Sequence, residues 1–285
     1  MIKAVYIFVL TGILVSLLSF HSYAFTADVQ PEAVIPGDVF LLTVAADKNP
    51  SESGSFPLAE LFGKKMDFYQ DADNHFTALV PVDIETPPKD YSITITFEGE
   101  KKAVRIRIIK HTFPTQQLTL PEEKVILSPE NLKRAEKETE LLANILSQRN
   151  HREWNGRFIA PTDTAVSEEF GVKRIMNGKK TSIHKGMDYK GQIGTPVRAL
   201  NSGTVVLRDD LFFGGNTLVV DHGMGLYSIY MHLSEFQVAG DEQVSRGQII
   251  GLVGMSGRAT GPHLHLGVKL DGVSINPEAL FKLRL

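Results

Sequence analysis

The spacing of hydrophobic and polar positions changes along the chain, and the changes mark out its parts. Residues 4–20 are a mostly apolar run, preceded by Lys3 and followed by His21-Ser22-Tyr23-Ala24. A basic start, an apolar middle and small residues at two alternate positions describe a secretory signal peptide cut after Ala24. A membrane anchor is the competing reading, because 17 mostly apolar residues lie at the lower edge of a spanning helix. From residue 25 to about 115 the pattern has period two. Residues 39–44 follow the turn Pro36-Gly37-Asp38, residues 91–97 follow Pro87-Pro88, and residues 103–109 alternate apolar side chains with Arg105 and Arg107. Short strands spaced by turn signals over this length predict an immunoglobulin-like β-sandwich. The period then becomes helical. Ser128-Pro129 supplies an N-cap and a first-turn proline, and Leu132, Ala135, Leu142, Ile145 and Leu146 recur at helical spacing to about Gln148. This helix lies in a connector, residues 116–153, and must bury its stripe on one or both neighbours. From Trp154 onward strands return at 204–207, 217–220, 226–233, 249–253 and 263–270, with Asp271-Gly272 as a tight hairpin turn. The sequence therefore predicts a mainly β chain: a signal peptide (1–24), a sandwich-like domain (25–115), a connector with one helix, and an antiparallel β domain (154–285).

Composition narrows the classes. The 285 residues suit about two domains at roughly 150 residues each. With 42% hydrophobic and 22% charged residues, the chain is neither disordered nor a polytopic membrane protein. A net charge of −3 speaks against nucleic acid as a partner. Cysteine is absent, which excludes a disulfide scaffold, a thiol nucleophile and a cysteine-based zinc site. Catalysis must then come from His, carboxylates, Ser or Tyr, with or without a metal.

The histidines offer that chemistry. His75, His111, His151 and His222 have no partner at ligand spacing and read as structural or surface residues. His184 and Asp188 lie four apart in His184-Lys185-Gly186-Met187-Asp188. His263 and His265 lie two apart in a strand and so project from one face. His232 closes the strand that contains Tyr230-Met231-His232-Leu233. Zinc accepts imidazole nitrogen and carboxylate oxygen in a tetrahedron, and three protein ligands leave a place for water. Five candidates exceed that need, so two are left for acid/base or oxyanion work. Spacing does not say which two.

These motifs carry a resemblance. Residues 158–281 resemble the M23 (LytM/lysostaphin-type) zinc metallopeptidases. The resemblance rests on Glu169-Phe170-Gly171, the His184 to Asp188 motif, Gly194-Thr195-Pro196-Val197, Ala199-Leu200-Asn201-Ser202-Gly203-Thr204-Val205, Tyr230-Met231-His232-Leu233, Gly247-Gln248-Ile249-Ile250-Gly251 and Ser256-Gly257-Arg258-Ala259-Thr260-Gly261-Pro262-His263-Leu264-His265. It implies one zinc ion per chain held by His184, Asp188 and His265, with His232 and His263 as the catalytic pair. It also implies hydrolysis of peptide bonds in bacterial peptidoglycan, in the periplasm or cell envelope or after secretion. The preceding β region is similar to the accessory domain that some envelope members carry.

One departure bears on substrate. The family members that cut glycine bridges carry a Tyr shortly before the first ligand His. Between Gly171 and Ile183 this chain has none, and offers Arg174, Lys179 and Lys180. These cations suit stem-peptide carboxylates, or form a solvated loop; the first reading points to a D,D-endopeptidase on direct cross-links. The alternative class is a non-catalytic envelope scaffold that activates other wall hydrolases. A serine hydrolase is disfavoured because Gly254-Met255-Ser256-Gly257 lacks the second half of a nucleophile elbow, and Ser256 reads as shaping the loop before His263. The part before Trp154 is acidic and the rest slightly basic. That asymmetry, with the tethered helix, allows the N-terminal region to restrain the peptidase domain, to target it to the wall, or to act as a spacer.

Overall fold

The computed structural model describes residues 25–46, 55–71, 73–119, 127–178 and 180–285. The signal-peptide reading of residues 1–24, and Lys179, lie outside them. Among the described residues no helix is long and apolar enough to cross a membrane.

The N-terminal period-two stretches fold as two facing sheets. One has the order β1 (Phe25–Gln30), β3 (Val39–Ala46), β7 (Phe76–Pro81), β6 (Tyr69–Gln70). The other runs β2 (Ala33–Val34), β9 (Glu100–Ile108), β8 (Asp90–Phe97), β4 (Leu58–Leu61), β5 (Lys64–Lys65). Their inward positions alternate as a sandwich requires: Phe40, Leu42 and Val44 from β3 meet Ile93, Ile95 and Phe97 from β8. Phe25 and Phe76 both pack edge-on against Phe97, with ring centroids 5.9 and 5.3 Å apart.

The C-terminal half is one large antiparallel sheet. Its path is β11 (Val166–Glu168), β14 (Met187–Lys190), β21 (His263–Leu270), β18 (Leu226–Phe236), β17 (Gly215–Gly223), β16 (Gly203–Leu211), β19 (Gln243–Val244). Strands β15 (Pro196–Arg198), β20 (Ile249–Val253) and β22 (Val273–Ile275) branch from this path. The Asp271-Gly272 hairpin is present, both residues at positive φ (53° and 78°) as a two-residue primed turn demands. A separate three-stranded sheet joins β10 (Thr115–Leu118), β12 (Lys173–Met176) and β13 (Lys180–Ile183).

The helix α1 spans Pro129–Ile145, with the Ser128 side chain accepting a hydrogen bond from the Asn131 N–H. Its stripe is only partly used. Ala135 and Leu146 are buried, but Leu132 is 48% exposed. Leu142 and Leu146 cover Val219, Tyr227 and Ile229 on one face of the large sheet. Polar contacts hold the rest: Arg134 donates to the Asp210 carbonyl (2.8 Å), and Glu138 accepts from the Phe212 N–H (2.7 Å). A short helix α2 (Pro277–Lys282) closes the chain.

The two halves share a core on the other face of the sheet. Val39, Leu41, Tyr69 and Leu79 from the sandwich pack with Trp154, Phe158, Phe170 and Met187. Tyr69 meets Trp154 edge-on at 5.7 Å, and the Arg152 guanidinium lies 4.3 Å over the Tyr69 ring. Gly37 (φ +93°) lets the Phe170 ring approach where a Cβ would come within 2.4 Å of it. Asn276 then donates from its backbone to the Gly37 carbonyl (2.7 Å) and from its side chain to Asp38 (3.1 Å).

Candidate metal centre and its cleft

Register places the ligand candidates. In the antiparallel ladder Asp188 on β14 stands opposite His265 on β21, which stands opposite Met231 on β18. Their neighbours Met187, Tyr189, Leu264 and Leu266 are all buried in the shared core. Period two therefore drives Asp188 and His265 onto the opposite face, where α1 also lies. His184 sits just before β14, between β13 and the strand that carries Asp188.

The three side chains converge. His184 Nε2 is 3.1 Å from Asp188 Oδ1 and 3.0 Å from His265 Nδ1, and His265 Nδ1 is 2.7 Å from the same carboxylate oxygen. His184 Nδ1 lies 2.9 Å from the Glu169 carbonyl. A carbonyl only accepts, so Nδ1 carries a proton and Nε2 is the nitrogen left to bind a cation. It faces a carboxylate oxygen and a second imidazole nitrogen, so three donor atoms meet at one point. Zinc bonds of about 2.0–2.1 Å in a tetrahedron put ligand atoms roughly 3.3 Å apart, close to the edges of this triangle. The donor set fits zinc. Burial alone would raise the Asp188 carboxyl, but hydrogen bonds with His184 and His265 outweigh it and hold the group well below the ordinary carboxylate range. Burial lowers His265, with Asp188 opposing.

Supporting groups shape this triangle. Gly186 leaves room for the His265 ring: a Cβ there would lie 2.6 Å from His265 Nε2 and 2.5 Å from the Leu266 carbonyl. Arg174 grips Asp188 Oδ2 at 3.0 Å and pairs with Glu168 through two of its nitrogens. Arg174 is therefore neither a free cation for substrate nor part of a solvated loop, whereas Lys180 does line the cleft.

His232 and His263 flank the triangle, their ring centroids 4.7 Å apart; His232 lies 6.2 Å from His265. His232 does not end its strand, because β18 continues to Phe236. It sits instead in a β-bulge, with φ +66° and its N–H bonded to the Gly214 carbonyl at 2.7 Å. Met231 faces the cleft, so regular alternation would point His232 into the core. The bulge turns it back to the cleft side. Its Nδ1 lies 2.9 Å from the Ser256 carbonyl, and His263 Nδ1 lies 2.8 Å from the Gly261 carbonyl. In both rings Nδ1 is therefore the donor to a carbonyl. Burial, and then the neighbouring His263, push the His232 imidazole down to about 4, so it is neutral at ordinary pH.

The cleft around these residues has a volume of about 580 Å³ and is also lined by Gln116, Leu118, Lys180, Phe213 and Arg258. The Arg258 guanidinium lies 5.1 Å over the Phe213 ring. The remaining histidines stand apart. His222 is fully buried between the Ser202 carbonyl (2.7 Å) and Ser228 Oγ (2.8 Å), whereas His75 is bound up in a surface loop with Asp71. Sequence reasoning did not find the three carbonyls of Glu169, Ser256 and Gly261, since a backbone acceptor leaves no trace in residue type. Ser256 does shape its loop: Oγ donates to the Leu233 carbonyl (2.8 Å) and accepts from the Asn216 N–H (2.9 Å).

Comparison with known proteins agrees with the fold. Residues 182–277 match peptidase family M23. The DD-carboxypeptidase/endopeptidase Mpg of Neisseria meningitidis serogroup B is 37% identical over 114 residues, 40% of this chain and 26% of that protein. Peptidoglycan DD-endopeptidase ShyA of Vibrio cholerae is 37% identical over 121 residues, 42% of this chain and 28% of that protein. The chain thus spans about a quarter of the length of these curated relatives. A Pseudomonas aeruginosa crystal structure assigned to peptidase M23 matches with a TM-score of 0.65 and 28% identity, over 87% of this chain and 94% of that one. Its coverage extends the likeness beyond the peptidase domain to the whole two-part architecture.

Proposed function

We propose that the chain is an exported zinc metalloendopeptidase that hydrolyses peptide cross-links of bacterial peptidoglycan. The observation that carries this reading is the triangle of three ligand atoms, with edges of 2.7–3.1 Å, beside two histidines whose Nδ1 atoms are engaged by carbonyls. His184, Asp188 and His265 hold one zinc ion. Zinc there supplies a Lewis acid that polarises the scissile carbonyl and lowers the pKa of water.

The chain's own residues do the rest. His232, held neutral by burial, takes the proton released as water attacks and returns it to the leaving amine. His263, on the same side of the cleft, stabilises the developing oxyanion or shares that proton transfer. Arg174 keeps the second oxygen of Asp188 occupied, so the first is the one that would serve as the ligand. The filled ligand set and the names of the relatives support an active enzyme over an inert scaffold. The same names, and the lack of a Tyr between Gly171 and Ile183, favour a D,D-endopeptidase acting on stem-peptide cross-links in the periplasm or envelope. No residue of β1–β9 lines the cleft, so restraint by the N-terminal region would have to come from the connector.

The test is mass spectrometry of fragments released from defined peptidoglycans by metal-loaded and chelator-treated protein. Metal-dependent conversion of cross-linked dimers to monomers is expected. No release, or release that resists the chelator, would overturn the proposal.

A further inference from the structure

One wall of the cleft is a sheet that contains a strand from outside the peptidase domain. β10 pairs in parallel with β12, Gln116 opposite Arg174 and Leu118 opposite Met176. β12 pairs in turn with β13, Arg174 opposite Ser182 and Met176 opposite Lys180. Residues paired across a ladder share a face, so Gln116, Arg174 and Ser182 form one row and Leu118, Met176 and Lys180 the next. All six line the cleft. Gln117, between the two connector residues, alternates to the other face and does not.

The strand is fixed at both ends. The Lys173 N–H donates to the Pro114 carbonyl (2.9 Å), and the Asn177 N–H donates to the Leu118 carbonyl (2.8 Å). Just before it, the Phe113 ring fills the space over Gly171, where a Cβ would lie 2.1 Å from the ring. The rows also differ in chemistry. Arg174 is committed to Glu168 and Asp188, so in its row the amide of Gln116 is the long neutral group left to meet a ligand. Leu118 and Met176 make an apolar patch beside it.

We propose that β10 is a substrate-positioning edge: Gln116 hydrogen-bonds the backbone amides of a peptide lying along the wall, and Leu118 with Met176 receives a small apolar side chain such as an alanyl methyl. The inference rests on the peptidase reading and adds which peptide-binding residues the connector supplies. An amide donates and accepts, as a peptide bond does, and an apolar patch beside it selects peptide over glycan. The connector is therefore part of the working cleft rather than a tether to it.

The experiment measures steady-state kinetics of the full mature chain on a soluble cross-linked muropeptide dimer. Gln116→Ala and Leu118→Ala should each raise KM about three- to tenfold, the equivalent of one hydrogen bond or a small apolar contact. Their kcat should stay within about twofold, with bound zinc unchanged. Leu118→Met should restore KM, and Gln117→Ala should match the wild type. An unchanged KM in both cleft-facing variants would overturn the inference, as would an equal loss in Gln117→Ala, which would mark a purely structural strand. Faster variants would overturn it too, since they would make β10 a cover over the cleft. Turnover by the wild type keeps these outcomes separate from failure of the peptidase reading, which would show as no cleavage by any variant.

Discussion

Replacing Gly186 by alanine isolates the geometry of the metal centre from its chemistry. No ligand atom is removed, and Gly186 is not among the positive-φ residues, so the backbone itself tolerates a side chain. The new methyl would lie 2.6 Å from Cε1 and Nε2 of His265 and 2.5 Å from the Leu266 carbonyl. To reach the 3.4 Å where ordinary contact begins, the imidazole must retreat by about 0.8 Å. The Leu266 carbonyl belongs to β21 and cannot give way without dragging the ladder that sets Asp188 against His265. Metal sites tolerate about ±0.2 Å in ligand distance, so the ring cannot both clear the methyl and keep its place in the triangle. Overpacking of this kind costs roughly 1–3 kcal/mol. Zinc affinity should fall about 10- to 100-fold, the range seen when a supporting group is lost. Turnover at saturating zinc should fall on the order of 10²-fold, as for a 1 Å misplacement. Competition with a chromogenic chelator reads the first quantity, and dimer cleavage at saturating zinc reads the second. A variant that binds zinc and cleaves like the wild type would refute the claim that Gly186 makes the space His265 needs.

Other predictions follow the same geometry. Asp188→Ala should lose metal and activity together by elemental analysis and assay, and unchanged zinc content would remove Asp188 from the ligand set. His232→Ala and His263→Ala should retain zinc yet lose about 10²–10⁴-fold in turnover, the usual range for acid/base or oxyanion groups; near-normal kinetics in both would sink their assignment. Burial holds His222 near 4 against an ordinary 6.5, so its folded pKa is depressed. Its contribution is complete above about 6.5 and is lost as pH falls towards 4, on the order of 3 kcal/mol in all. Denaturant titrations of metal-free protein at pH 7 and 5 should therefore show a smaller acid loss in His222→Gln than in the wild type, and equal losses would refute it. N-terminal sequencing of the protein from the cell envelope should begin at Phe25, and a full-length membrane product would favour an anchor.

How much of this was legible in the sequence depends on whether the information is local. Period two and the turn residues around Asp271-Gly272 gave most of the long strands, and Ser128-Pro129 marked the start of α1, because alternation, capping and turn chemistry act between near neighbours. Spacing alone also put His263 and His265 on one strand face. It could not say which of five groups would meet, since that follows from cross-strand register: Asp188 reaches His265 because buried Met187, Tyr189, Leu264 and Leu266 pin both strands with those residues outward. His232 is the clearest case. Simple alternation would have sent it to the core, and the bulge that returns it to the cleft arises where Met231 and His232 of β18 together stand opposite Thr217 of β17, which no local pattern encodes. Arg174 read as a cation for substrate carboxylates or for a solvated loop, and only the folded chain ties it to Glu168 and Asp188. The same is true of Gln116 and Leu118. Nothing in a polar four-residue strand announces where it docks; β10 finds its place because β12 offers an edge that the connector is long enough to reach. Composition and periodicity thus determine which residues can do chemistry and which elements carry them, while long-range pairing decides which of them come within 3 Å of one another.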